Sequence, residues 1–151
     1  MSGNFGSGAY TPRYAKTPAK YSPKRTVKSF RDLDVYRITT DCALTLAREV
    51  LPILEKDKFS LVDGMRDCAL SIPLRVAEAH GMRFSDFAVA VRTLESAMQG
   101  CNKMIVYLEQ ASGLSYNVDV AVLEEFMQKY LQVRGKMLRL ERSWQKFQAN
   151  R

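Results

Sequence analysis

Two long apolar stripes constrain the fold of this chain more than any other feature of its sequence. The first alternates spacings of four and three residues over Phe87, Val91, Leu94, Met98, Cys101, Ile105 and Leu108. The second keeps the same alternation over Leu123, Phe126, Tyr130, Val133, Met137, Leu140, Trp144 and Phe147. Such spacing puts apolar side chains on one face of an α-helix, and a sustained seven-residue repeat favours helices that cross at about 20°. The sequence therefore predicts an all-α protein.

Two further helices are predicted before these stripes. The first spans about residues 32–51, and Pro52 is expected to end or kink it. The second begins after Ser60, a suitable N-cap residue, and ends near His80-Gly81. Because proline lacks an amide hydrogen, a kink is expected within this helix near Ser71–Pro73.

The last two helices follow short connections. The third begins after Ser85 and stops at Ser112-Gly113, and the fourth begins near Asn117, a plausible cap. Short connections make consecutive helices antiparallel, so we expect an up-down-up-down four-helix bundle. Its length is sufficient for a hydrophobic core without disulfides or metal.

The positive charge of the chain is concentrated at its two ends. Residues 1–31 carry seven basic residues and no acid, and residues 129–151 carry seven basic residues and one acid, whereas the segment between them has a net charge of −6. Residues 1–29 are also interrupted by Gly and Pro, and Val27 is their only branched aliphatic residue. We therefore predict a disordered basic tail at 1–29 and a four-helix bundle at 30–151.

Segregated basic segments attract polyanions, because binding releases condensed counterions. Tyr10, Tyr14 and Tyr21 alternate with the basic residues of the tail and offer rings on which unpaired bases can stack. We expect nucleic-acid binding, most of all to RNA, through Arg13, Lys16, Lys20, Lys24, Arg25, Lys28, Arg31, Lys129, Arg134, Lys136, Arg139, Arg142 and Lys146. The alternatives are a solvated tail that only keeps the protein soluble, or basic ends that dock on an acidic protein.

No constellation of residues in the sequence indicates catalysis or a metal centre. His80 is the only histidine and lies at the expected end of the second helix, where its charge would suit the helix dipole. Cys42, Cys68 and Cys101 lie on three predicted helices without metal-ligand spacing, which fits small core residues in a reducing cytoplasm. Neither a phosphate-binding glycine loop nor a Glu-x-x-His motif is present. We expect a cytoplasmic protein that is not an enzyme and needs no cofactor or metal.

The fourth predicted helix is longer than its expected partners, so the end of its stripe should reach beyond the bundle. Exposed aromatic side chains on a regular stripe usually mark a partner surface, and most soluble oligomers contain identical subunits. We predict self-association through Tyr130, Met137, Trp144 and Phe147. The alternative is that the tail or a loop covers the two aromatic residues at the end.

Residues 30–36, FRDLDVY, follow the pattern F-x-D-L-x-V-[YW]. Ser71-Ile72-Pro73 and Ala77-Glu78 follow most of the pattern S-I-P-x-N-I-A-E-G, and Gly113-Leu114 lie at the turn after the third predicted helix. In these segments the chain resembles a family of four-helix-bundle proteins encoded by intervening sequences in bacterial 23S ribosomal RNA genes. Arg75 departs from the pattern, because the family usually has Asn there. The resemblance covers about residues 30–140.

The resemblance implies a non-enzymatic bundle that assembles into a ring, commonly a pentamer, and binds nucleic acid. The accessory variability proteins of diversity-generating retroelements are similar bundles that bind a reverse transcriptase and nucleic acid. The expected partners are therefore further copies of this chain and RNA, with no membrane. A retroelement accessory protein that binds a reverse transcriptase is the alternative.

Overall fold

The computed structural model of the chain describes residues 26–114 and 117–150. A short 3₁₀ turn at Phe30–Asp32 leads into helix α1, whose three consecutive parts are Asp34–Thr45, Leu46–Val50 and Leu51–Lys56. Helices α2, α3 and α4 follow at Val62–Met82, Phe87–Leu114 and Val120–Ala149. The described residues contain no strand, which confirms the all-α prediction. Most of the predicted tail, residues 1–25, lies outside the described residues.

Helix α1 begins at Asp34, later than predicted, because a separate capped turn precedes it. The Ser29 hydroxyl accepts a hydrogen bond from the Arg31 amide at 3.2 Å. The Asp32 carboxylate accepts in return from the amides of Ser29 at 3.2 Å and Lys28 at 2.9 Å. This reciprocal pattern is a capping box, which satisfies amide groups that a helix start leaves without a partner.

Pro52 does not end α1. Proline removes one backbone donor, and its ring crowds the carbonyl of the residue four positions earlier, which is Arg48. The turn at Leu46–Val50 is wound as a π-helix, and this wider turn accommodates the irregularity while the helix continues to Lys56. The chain then leaves the helix at Lys58, whose φ angle is 63°.

Both ends of α2 differ slightly from the prediction. The N-cap position is occupied by Leu61 instead of Ser60, and no side chain caps this end. Gly81 lies inside the helix instead of following it. The Arg83 guanidinium donates to the His80 carbonyl at 2.6 Å, so a carbonyl of the last turn is satisfied without a terminal glycine.

Helix α2 also continues through Pro73, which is buried. The Ser71 hydroxyl donates to the Cys68 carbonyl at 2.8 Å in the turn that contains the proline. Hydroxyl groups that bond back to the preceding turn often bend helices. The predicted kink stays a prediction.

The buried face of α3 is rotated relative to the predicted stripe. Leu94, Cys101 and Leu108 are buried as predicted, but the other stripe residues are half-buried. The rest of the buried face consists mainly of small residues, namely Ala90, Ala97, Gly100, Met104 and Ala111. These small residues let α2 approach closely: a Cβ atom added at Gly100 would lie 2.8 Å from Cγ1 of Ile72.

Helix α4 is capped by Asp119, whose carboxylate accepts from the Ala121 amide at 2.9 Å. Asn117 is therefore not the cap; its amide donates to the Asp57 carboxylate at 3.2 Å and so joins the start of α4 to the end of α1. Six of the eight predicted stripe residues of α4 are buried, namely Leu123, Phe126, Tyr130, Val133, Met137 and Trp144.

Each helix packs on the next one in the chain, and α4 packs back on α1. Asp34 at the start of α1 lies 3.8 Å from the Lys136 ammonium in the second half of α4. His80 near the end of α2 lies beside Trp144 near the end of α4, with 6.4 Å between the ring centroids. Among the described residues, no helix combines the length and apolarity that crossing a membrane requires.

Candidate nucleic-acid interface

The second half of α4 presents a basic surface. Arg139, Arg142 and Lys146 are exposed, and Arg134 and Lys136 are half-buried. The single acidic residue in this part of the helix, Glu141, is buried and faces the core. Glu141 accepts from the Gln145 amide at 3.4 Å, and burial together with the neighbouring Glu95 carboxylate raises its pKa. Because Glu141 is buried, it is not part of the exposed surface that carries the cations.

Lys129 is not part of this surface, and its prediction as a phosphate contact is wrong. Its side chain is buried, and its ammonium pairs with the Glu125 carboxylate one turn earlier and lies 6.0 Å from the Phe126 ring centroid. A lysine that is buried and already paired with a carboxylate has no free charge to offer to a phosphate.

The segment that leads into the start of α1 adds two exposed cations, Lys28 and Arg31. The Arg31 guanidinium lies 4.9 Å from the centroid of the Phe30 ring. Because Asp34 and Lys136 are in contact, this start of α1 lies along the basic half of α4. The other predicted phosphate contacts, Arg13, Lys16, Lys20, Lys24 and Arg25, lie outside the described residues.

The four predicted interface residues of α4 differ in their environment. Tyr130 and Met137 are completely buried in the core of this chain, and Trp144 is nearly so. The prediction that they contact another subunit is therefore wrong, because a second copy would find almost no surface on them. Phe147 is 56% exposed, so it alone of the four offers a substantial apolar surface.

Phe147 forms one wall of a pocket between the end of α4 and the connection from α2 to α3. The pocket has a volume of about 190 Å³ and is lined by Arg83, Phe84, Phe87, Ser143, Trp144, Phe147 and Gln148. The rings of Phe84 and Phe147 are 5.9 Å apart between centroids and inclined at 49°. The lining thus combines four aromatic rings with one cation and no carboxylate.

Arg83 connects the pocket to the end of α2. Its guanidinium lies 4.2 Å from the Phe84 ring centroid, within the range of a cation–π interaction. The same group donates to the His80 carbonyl and so occupies the place at the helix end that the sequence assigned to His80. Burial, with a contribution from Arg83, lowers the pKa of His80, which disfavours the positive charge expected for it at the helix end.

Sequence reasoning missed Arg83, Phe84 and Phe87 as site residues. They lie in and beside a short connection between helices, where helical periodicity does not indicate which side chains face the core. The available signal was composition: two aromatic residues and an arginine follow Gly81 within a stretch that should be solvated. An exposed aromatic residue at a helix connection is a stronger indication of binding than one on a core stripe.

The cysteines converge in the core from α1, α2 and α3. Burial raises the pKa of Cys101 to about 12, and the nearby Cys42 and Cys68 thiols add to this shift. Thiols with raised pKa values are poor nucleophiles at neutral pH, because the thiolate is the reactive form. Within residues 26–114 and 117–150, no group of three or more His, Cys, Asp or Glu side chains is arranged to hold a metal ion.

Comparison of the chain with protein-family models, curated proteins and solved structures finds no match.

Proposed function

We propose that this chain is a non-enzymatic helical-bundle protein that binds RNA through a basic surface and assembles into a ring of identical subunits. The observation that carries the proposal is the arrangement of charge along α4. Three exposed cations, Arg139, Arg142 and Lys146, occupy its second half, and the one acid of that half is buried with a raised pKa. Lys28 and Arg31 lie just before α1, whose first residue, Asp34, contacts Lys136 in this half of α4.

The bundle in this proposal is of the up-down-up-down type. Its support is the set of contacts between helices, because Asp57 at the end of α1 meets Asn117 before α4, whereas Asp34 at the start of α1 meets Lys136. Such pairings arise when α1 and α4 run in opposite directions. In this arrangement Lys28 and Arg31, just before α1, lie near the basic half of α4, so phosphates along one strand meet cations from both segments.

The basic surface fits a phosphate backbone better than a particular base sequence. Exposed Lys and Arg side chains on one helix contact phosphates, which position a nucleic acid but carry no sequence information. We therefore expect binding that is weakly selective and strongly dependent on salt. Each phosphate contact to a single strand steepens the dependence of log affinity on log salt by about 0.7.

The test is a salt titration of the binding of the full chain to a short single-stranded RNA. Affinity is expected to fall steeply from low to physiological salt. Replacing Arg139, Arg142 and Lys146 with Gln should reduce the slope by about 2, since about 0.7 is lost for each contact. The measurement is fluorescence anisotropy of labelled RNA at several salt concentrations.

The matched control removes the same charge elsewhere. Lys56, Arg92 and Lys103 are exposed and lie outside the basic half of α4. Replacing these three with Gln should leave the slope nearly unchanged. Equal effects of the two triple variants, or binding of the natural chain that does not respond to salt, would contradict the proposed surface.

The proposed ring rests on two exposed apolar rows with opposite charge. On α2, Leu70 and Leu74 are exposed between the acids Asp67 and Glu78. On α4, Leu131 and Leu138 are exposed, and the half-buried Arg134 lies between them on the same face. Residues three or four positions apart share a helix face, so each row is a continuous strip.

The two rows complement each other and lie on different helices. A contact between the acidic row of one copy and the basic row of the next is heterologous, and such contacts close into rings when the rotation permits. The apolar side chains then become buried, and the acids of one copy face the arginine of its neighbour. The exposed rows on α2 and α4 replace Tyr130, Met137 and Trp144 as the proposed interface.

Leu138→Asp should therefore reduce the size of the particle in solution to that of a single chain. The introduced charge would face the proposed partner's acidic row and remove an apolar contact. Leu44→Asp is the matched control, because Leu44 on α1 is 38% exposed and Leu138 is 39% exposed. Sedimentation velocity measures the size; a natural chain that sediments as a monomer, or equal effects of both substitutions, would refute this interface.

A further inference from the structure

The pocket beside Phe147 contains exposed aromatic rings, which a surface that binds only phosphates does not need. Phe84 is 59% exposed and Phe147 is 56% exposed, although both are large apolar side chains. They come from different parts of the chain, yet their rings stand 5.9 Å apart at the mouth of one pocket, over the nearly buried Trp144. Exposed rings that converge on a cavity indicate a bound group with a flat apolar face.

The polar atoms of the pocket favour an anionic ligand over a lipid or an apolar peptide. Arg83 supplies a cation against the Phe84 ring, and Ser143 and Gln148 supply hydrogen-bonding groups to the lining. Asp86 is the acid closest in sequence, and its carboxylate accepts a hydrogen bond from the Val89 amide at the start of α3. The ligand that fits has an aromatic face, polar edges and a negative charge.

The pocket is also continuous with the basic surface of α4. Arg139, Ser143 and Phe147 follow one another at four-residue spacing, so they form one row along the helix. A strand whose phosphates contact Arg139 is thereby led to the pocket. Lys146, next to Phe147, is exposed at the same end of the helix.

We propose that this pocket holds one unstacked nucleobase of a single-stranded RNA, with the base against Phe84 and Phe147 and a neighbouring phosphate at Arg83. This inference rests on the proposed RNA binding and adds a base-stacking site to it. Bases that leave their own stack bind readily to aromatic side chains, and every base has a face suited to this contact. The site accordingly contributes affinity for single strands with little preference between sequences.

Trp144 provides a direct signal, because it is the only tryptophan of the chain and lines the pocket. Two RNA probes of equal length are needed: a short oligoadenylate, and the same sugar–phosphate backbone without bases. The oligoadenylate should quench the fluorescence of Trp144, and the abasic strand should bind through its phosphates without quenching. The full chain is used at low salt, where the phosphate contacts are strong.

The double variant Phe84→Ala and Phe147→Ala tests the two rings. It should bind the oligoadenylate about tenfold more weakly, which is the loss expected for one stacked base, and bind the abasic strand as the natural chain does. Phe84→Tyr should retain binding, because the tyrosine ring also stacks. Val106→Ala and Leu114→Ala remove comparably exposed apolar side chains far from the pocket and should change neither affinity.

The outcomes separate this inference from the proposed function. Equal affinity for both probes, with no quenching of Trp144, would overturn the base site. Salt-dependent binding in the same experiment would still support the basic surface. Residues 1–25 or a second copy of the chain would then be the candidates for covering the two rings. Absence of binding to either probe at low salt overturns both proposals. The double variant and its controls change only exposed positions, and the helical content measured by circular dichroism shows whether each variant is folded.

Discussion

Met137→Ala is expected to lower the free energy of unfolding by about 2–5 kcal/mol, the usual cost of truncating a buried methionine. Met137 is completely buried, and the residues one turn before and two turns after it on the stripe, Val133 and Trp144, are also buried. The truncation leaves a cavity that the surrounding helices fill only in part, so the lost contacts are not recovered. Urea denaturation followed by circular dichroism measures the change.

Phe147→Ala is the counterpart on the same stripe. Its ring is more than half exposed, so its removal should change the free energy of unfolding by no more than about 0.5 kcal/mol. The pair of substitutions thus separates core from surface along one helix. A loss of oligomer in Met137→Ala without loss of stability would show instead that this residue serves an interface between subunits.

The fourth helix shows what a periodic pattern can predict. The spacing from Leu123 to Phe147 correctly predicted one helix with one apolar face. The spacing could not predict how far along α4 this face is covered by other helices. A periodic pattern shows which residues share a helix face, but not whether another helix packs against them. Phe147 therefore occupies the same kind of position in the sequence pattern as Met137, although Phe147 is exposed and Met137 is buried.

The third helix shows a second limit. The predicted stripe followed the large apolar residues, whereas the buried face is centred between them and Ala90, Ala97 and Gly100. Small residues give a weak hydrophobic signal, yet they line the face where two helices approach most closely. Steric fit between α2 and α3 determines which face of α3 contacts α2. That face depends on the side chains of both helices, so the pattern of α3 alone cannot predict it.

The candidate site was predictable in charge but not in detail. The count of basic residues directs attention to the second half of α4, where Arg139, Arg142 and Lys146 are exposed. The same count included Lys129, since it does not record whether a lysine is buried or paired with Glu125. Composition after Gly81 indicated some of the pocket residues, but the pocket itself was not predictable, because its walls come from distant parts of the chain that only the fold brings together.

Gly100→Leu is expected to destabilise the chain by about 3 kcal/mol, the upper part of the usual range for overpacking a core. Even a Cβ atom at this position would lie 2.8 Å from Cγ1 and 3.3 Å from Cδ1 of Ile72. Ile72 is completely buried, so its side chain has little room to move aside. The helices α2 and α3 must separate to admit the leucine, and this separation weakens the contacts of Ala97 as well.

The steric cause can be isolated with a second substitution and a matched glycine. Adding Ile72→Ala to Gly100→Leu should return part of the stability, with a favourable coupling of about 1 kcal/mol or more in a double-mutant cycle. Gly81, inside α2, has nothing within 4 Å of its added Cβ atom, so Gly81→Ala should stabilise the chain by about 0.5–1 kcal/mol through helix propensity alone. Thermal and urea unfolding measure all four variants. If Gly100→Leu were tolerated as well as Gly81→Ala, the close approach of α2 to α3 would not exist in solution, and the rotated face of α3 would need another explanation.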